Sequence, residues 1–253
     1  MTGMVKAKTS KPKSYRVRES ARAKHVSIKV SHLGDVEVVV PTGFDQNQIP
    51  DILRKRQDWI ARTIERIAAE RQSLLVDKCE SASEQAFPKQ IELRSILEAW
   101  NLRYEPSSRY KASVTAPHQL TLQGAMDAPR LYSLLHHWLK RKAEFHLVPW
   151  LRQISQEIEL SFNQAHIRGQ KTLWASCSAK KNISLNYKLL FLPRHLVRYV
   201  LIHELCHTVH LNHSARFWDL VAAKEPDYKA LDRELGKAWI YVPEWVERSL
   251  NGP

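Results

Sequence analysis

The sequence predicts an α+β protein in which an antiparallel β-hairpin and a helix precede a domain built around one histidine-bearing helix. Three observations carry this expectation. Period-two alternation over HVSIKV and VEVVV, on either side of SHLGD, marks two half-buried strands and their turn. Apolar residues at helical spacing over 49–67 and 127–158 mark two helical stretches. The segment HELCHTVHLNHSARFW, His203 to Trp218, then sets four histidines and one glutamate within eleven residues. The expected organisation is a basic tail over 1–14, a β-rich region with one helix over 15–126, and the histidine-bearing domain over 127–253.

Residues 1–14 hold four lysines, no acid and almost no large apolar side chain, so they cannot bury enough surface to order themselves. From Tyr15 the alternation begins, and Gly34 and Asp35 supply the hairpin turn. Ile49, Ile52, Leu53, Ile60, Ile64 and Ile67 form one helical stripe with Pro50 in its first turn, and Trp59 is expected to join that core face. A polar linker follows over 78–85. IEL, LRYE, ASVTA and QLTL read as four short strands. Asp127 and Pro129 open a long helix, which Pro149 should kink or divide because proline lacks the N–H and clashes with the preceding turn. His136, His137 and His146 on it have no partner pattern, and surface or half-buried positions are expected. KTLWASCS and ISLN form a strand pair, Pro193 precedes the motif helix, and two short helices follow, from Ser214 and around 227–239.

Composition bounds the chemistry. The 253 residues are 43% hydrophobic and 26% charged, enough for a sizeable core, and no apolar run approaches a membrane span. No signal peptide is evident, and Cys79, Cys177 and Cys206 form no CxxC pair, so reduced thiols and a cytoplasmic setting are expected. The net charge of +13 allows nucleic acid or another polyanion as a partner, or simply a basic solvated surface.

Within the motif, His203 and His207 stand four apart and project from one helix face, where both imidazoles can reach one zinc ion at about 2.0–2.1 Å. Glu204, beside the first ligand, is turned away from ligation but can meet a water at the metal, which is the zincin arrangement HExxH. His210 lies seven residues past His203, roughly 10 Å along an unbroken helix, too far to share the ion. His213 can reach it if the helix stops first, with Asn212 supplying a left-handed corner and Ser214 capping the next helix. The ligand set is therefore His203, His207 and His213, with water in the fourth position. A competing arrangement uses Glu225 as third ligand. By chance an HExxH would arise about once in thirty such chains, and with a histidine six further on about once in five hundred; accident is a poor competitor. Cys206 lies on another helix face and reads as a small buried hydrophobe.

HELCHTVHLNHSARFW, preceded by LWASCSAKKNISLNYKLLFLP, closely resembles the YgjP-like metallopeptidase domain family, akin to SprT-like and WLM-type zinc proteases. HVSIKVSHLGDVEVVVPTGF, RKRQDWI and HHWLKRKAEFHLVPWL extend the resemblance over nearly everything from Tyr15 to Trp239. It implies a zincin-like fold, the three histidines as zinc ligands and Glu204 as catalytic residue. Where the family reads arginine-tryptophan-glycine-serine-cysteine, this chain has Leu173, Trp174, Ala175, Ser176 and Cys177, so any contact made by that arginine is absent here.

The function expected is zinc-dependent peptide or protein hydrolysis with Glu204 as general base. Tyr187, Tyr199, His210 and Arg216 are candidates to meet the oxyanion, and ISLN at 183–186 is the candidate strand to pair with an extended substrate. Two alternatives use the same site: hydrolysis of nucleotide phosphoanhydrides, although no GxxxxGK[ST] phosphate cradle is present, and a DNA-associated protease of SprT-like type. A nucleic-acid module with structural zinc fits less well, because closed structural sites take four protein ligands.

Overall fold

A computed structural model describes residues 15–75, 87–125 and 127–248. The expected tail over 1–14, the linker over 78–85 and Cys79 lie outside them. The chain divides into two compact units, residues 1–81 and 82–253.

In the first unit, β1 (Tyr15–Ser20), β2 (Ser27–Val30) and β3 (Val36–Pro41) form a sheet of order β1-β3-β2. The β2–β3 pair is the expected hairpin, with Ile28 opposite Val38 and Gly34 at φ +85° in its turn, a conformation that L side chains rarely adopt. β1 runs parallel to β3 on the other side. The predicted helix is interrupted at Arg56, giving α1 (Ile49–Lys55) and α2 (Gln57–Leu75). Val36, Val38 and Val40 share one strand face by their period of two and bury against Ile49, Leu53 and Ile60. Trp59 departs from expectation: it is 43% exposed, since the core-facing stripe is completed by Ile60 and Ile64 instead.

The second unit begins with the four expected strands, β4 (Gln90–Leu93), β5 (Glu98–Pro106), β6 (Lys111–Ala116) and β7 (Gln119–Gly124), in the order β4-β5-β7-β6. Their inward residues Ile91, Leu93, Trp100, Leu120 and Leu122 share one core with Leu131, Leu135, Leu139 and Leu147 of α3 (Ala128–Glu157). Because that core is continuous, these strands group with the following helices, whereas the sequence had suggested a boundary after 126. Pro149 does not divide α3, which runs through it for 30 residues. His136, expected at or near the surface, is 6% exposed. Its Nδ1 lies 2.8 Å from the Tyr187 hydroxyl in that core.

Beyond α3, β8 (Ala165–Arg168), β9 (Ala175–Cys177) and β10 (Ile183–Asn186) form a sheet of order β8-β10-β9. A tight turn over 187–191 leads into α4 (Arg194–Cys206), and α5 (Ala215–Lys224), α6 (Tyr228–Leu235) and α7 (Glu244–Arg248) complete the described chain. α4 is buried along Leu196, Val197, Val200, Leu201 and Leu205 and packs on α3, α5, α6 and β9. It is thereby a rigid carrier for the residues at its C-terminal end. No described helix is long and apolar enough to cross a membrane.

Candidate metal centre

α4 ends at Cys206, earlier than the unbroken helix to Leu211 that would have stranded His210. His207 is its C-cap residue at φ −66° and ψ −16°, and its N–H donates to the His203 carbonyl at 3.2 Å. Thr208, Val209 and His210 continue as tight turns, the N–H of Thr208 bonding to Leu205 O and those of Val209 and His210 both bonding to Cys206 O. The chain then doubles back to α5, with Ser214 in the N-cap position but making no side-chain cap. The expected left-handed Asn212 is not used, since none of the described non-glycine residues with positive φ falls in this turn. The tightened last turn of α4 makes the corner instead.

The corner brings His213 back. Its Nε2 lies 3.1 Å from His203 Nε2, and one ring nitrogen from each of His203, His207 and His213 falls within 4.8 Å of the others. Two α5 side chains pack the rings. Phe217, wholly buried, stacks on His207 at 4.3 Å, and Trp218 stacks on His213 at 5.5 Å. His207 Nδ1 stands 2.9 Å from the His210 carbonyl. A carbonyl can only accept, so Nδ1 carries the proton and Nε2 keeps its lone pair. The role of His210 is thus played by its backbone.

Burial drives His203 well below the ordinary histidine range, to about 3, helped by the neighbouring His207 and His213. Burial likewise lowers His207. His203 and His213 present their Nε2 atoms to each other, and His207, protonated at Nδ1, keeps Nε2 as a donor for a cation. Nitrogens about 2.0–2.1 Å from a tetrahedral ion stand roughly 3.3 Å apart, close to the His203–His213 separation. This donor set fits a divalent metal that accepts nitrogen ligands. Glu225, the alternative third ligand, is the C-cap of α5 and falls outside the cluster.

Glu204 is 6% exposed, and its Oε2 has no hydrogen-bond partner among the described residues. Burial pushes its carboxyl up to about 8. A buried, unsatisfied carboxylate oxygen is costly to a fold and is retained where something else engages it. His203, Glu204 and His213 line one cleft of about 510 Å³, together with Trp174, Ala175, Trp218 and Asp232. Cys177, beside this cleft on β9, is raised to about 11 by burial and by the Glu204 carboxylate, and is no nucleophile. Cys206 is fully buried, as expected.

Two sequence expectations about the surroundings are corrected. ISLN is β10, the central strand of its sheet, with both edges occupied by β8 and β9. The strand that borders the cleft is β9. Asn186 N–H bonds to Trp174 O at 2.9 Å, so the alternation of an antiparallel pair turns the N–H and C=O of Ala175 away from β10. Tyr187 is also removed from the site, because its hydroxyl is committed to His136. Tyr199 donates to Asp232 Oδ1 at 3.1 Å. Phe217 and Asp232 were not anticipated. Phe217 sits in the quoted motif without a ligating atom to draw notice, and Asp232 is one of two acids on an exposed helix with no motif around it.

Fold and site together define a metallopeptidase-type domain. The model of the YgjP-like metallopeptidase domain matches residues 24–238, most of the chain, and the chain belongs to that family. Among curated proteins none matches. Among solved structures, the metallopeptidase zymogen abylysin of Pyrococcus abyssi is similar at 29% identity over 34% of this chain and 90% of that one, with a TM-score of 0.31. At that score the likeness is local and does not extend to the arrangement of the whole chain.

Proposed function

We propose that this family member is a zinc-dependent peptidase in which His203, His207 and His213 hold the metal and Glu204 moves the proton. The observation that carries the reading is the meeting of three convergent imidazoles and one buried, unpartnered carboxylate in a single open cleft. Zinc so held supplies Lewis acidity toward a peptide carbonyl and acidifies a water to near neutrality. Glu204 accepts that water's proton at Oε2 and delivers it to the departing amine nitrogen. Oε2 has no other hydrogen-bond partner among the described residues, which leaves that oxygen available to receive the proton. The Ala175 peptide groups on the free edge of β9 hold an extended substrate chain across the cleft by strand pairing. Cys177 and Cys206, both free thiols, suit a reducing compartment such as the cytosol.

Phosphoanhydride hydrolysis finds no support in the cleft, whose lining holds no lysine or arginine to take a polyphosphate.

The test is metal content and peptide hydrolysis measured side by side. Glu204→Gln is expected to keep its zinc and lose turnover by at least about 100-fold, the scale of general-base catalysis. His213→Ala is expected to lose zinc affinity as well as activity. Full metal content in His213→Ala would remove His213 from the ligand set, and full activity in Glu204→Gln would remove the proposed mechanism.

A further inference from the structure

The cleft extends past the histidines toward α6, and this extension has a composition of its own. Trp174 and Trp218 wall it with Leu235, and Asp232 stands at its rim. Trp174 is held from behind by stacking on Trp239 at 4.0 Å, and Trp218 is held between His213 and Tyr228, 5.5 Å from each ring. Neither wall is free to collapse into the space. Asp232 is an exposed residue, and its orientation is set from below by the buried Tyr199, which donates to Oδ1. No lysine or arginine among the described residues pairs with it. In a chain of net charge +13, the lining of this cleft holds no lysine or arginine, and Asp232 is the acid at the α6 end, away from the histidines. The second carboxylate, Glu204, is buried, unpartnered at Oε2 and opens into the same space.

We propose that this extension is a specificity pocket for a cationic side chain, lysine or arginine, of the peptide whose bond lies at the metal centre. The inference rests on the peptidase reading and adds the substrate class. The aliphatic stem of such a side chain lies along Trp174, Trp218 and Leu235, and its head reaches the free oxygen of Asp232. Indole faces attract a cation through their quadrupole, so walls and rim select the same ligand. A neutral aliphatic chain of equal length gains the walls alone. An acidic chain is repelled by Asp232.

The test uses the zinc-loaded full chain and N-acetylated peptides identical except for lysine, norleucine or glutamate at each position around the cleaved bond. At one position lysine is expected to exceed norleucine by roughly tenfold in kcat/KM, the combined scale of one cation–π contact and one partly exposed ion pair. Asp232→Asn keeps the acceptor for Tyr199 and is expected to cut that ratio to about threefold, the share of the cation–π contact that remains. Asp232→Lys is expected to turn the preference toward glutamate, an outcome that misfolding cannot produce. Binding of the labelled lysine and norleucine peptides to Glu204→Gln, read by fluorescence anisotropy, should show the same preference without turnover. Cleavage with no lysine preference, or a preference untouched by Asp232→Asn, overturns the pocket and leaves the peptidase reading standing. Preferential binding of the lysine peptide with no cleavage of any peptide does the reverse. A preference that appears only when the acetyl group is omitted assigns the site to a terminal amine and overturns the side-chain assignment.

Discussion

His136 is held in the core by its bond to Tyr187 and by ring contact with Trp245, and burial drives its imidazole from near 6.5 down to about 4, with Lys140 and Lys188 adding to the fall. In the unfolded chain the same imidazole takes up its proton near 6.5. Between the two values the unfolded state binds more protons, so the folded state is fully favoured above about 6.5 and loses ground as pH falls toward 4. From pH 7 to 5 this one group is expected to remove about 2 kcal/mol of stability. Urea unfolding at both pH values checks it: His136→Asn should flatten the slope by that amount, and an unchanged slope would mean that the imidazole is charged inside the fold. At this scale the sequence was most legible where a residue's role is set by its neighbours in the chain. His203, Glu204 and His207 follow from helical spacing alone. His136 and Asp232 were illegible because their surroundings come from Tyr187 and Tyr199, 51 and 33 residues away.

Among the elements, the turn over 187–191 and α7 are joined by a buried charge pair. Lys188 is wholly buried, with Nζ 2.5 Å from Glu247 Oε1, 3.1 Å from the Gln170 carbonyl and 5.2 Å from the Trp239 ring centroid. Asn186 holds the same loop, donating to the Gln170 and Leu173 carbonyls at 2.9 Å each. Together they fix the segment that delivers Trp174 and Ala175 to the cleft. Removing a partner from a buried pair leaves a charge with little compensation, so Glu247→Leu is expected to cost about 3 kcal/mol. Chemical denaturation measures this; a cost below about 1 kcal/mol would show that the Gln170 carbonyl and the indole suffice for Lys188. The hairpin, the strands over 90–124, α3 and α4 could all be placed by period and punctuation. The rank of β10 could not, because alternation shows which face of a strand is buried and says nothing about its neighbours. β8 and α7 were missed.

For the molecule as a whole, every residue of the cleft and of the core that carries α4 lies in the unit of residues 82–253, while the first unit has its own core around Val38 and Ile60. A fragment spanning 82–253 is therefore expected to fold and to bind zinc with the affinity of the full chain. Far-UV circular dichroism and metal titration of the two would check this, and a fragment with weakened zinc affinity would show that the first unit supports the centre. The sequence suggested a division after 126 because strands and helices change over there. What binds the two halves of the unit is the packing of Leu120 and Leu122 on α3, which a linear reading does not contain.

One bond within the centre has a consequence for variation at its border. The proton of His207 Nδ1 is received by the main-chain oxygen at position 210, so the imidazole that follows that oxygen is irrelevant to how the ring is seated. Any residue able to adopt the same backbone course would serve at 210. Gaining or losing a single residue between 207 and 213 would shift the oxygen and the returning ring together. The length of that interval is fixed by geometry, and its spelling is largely free.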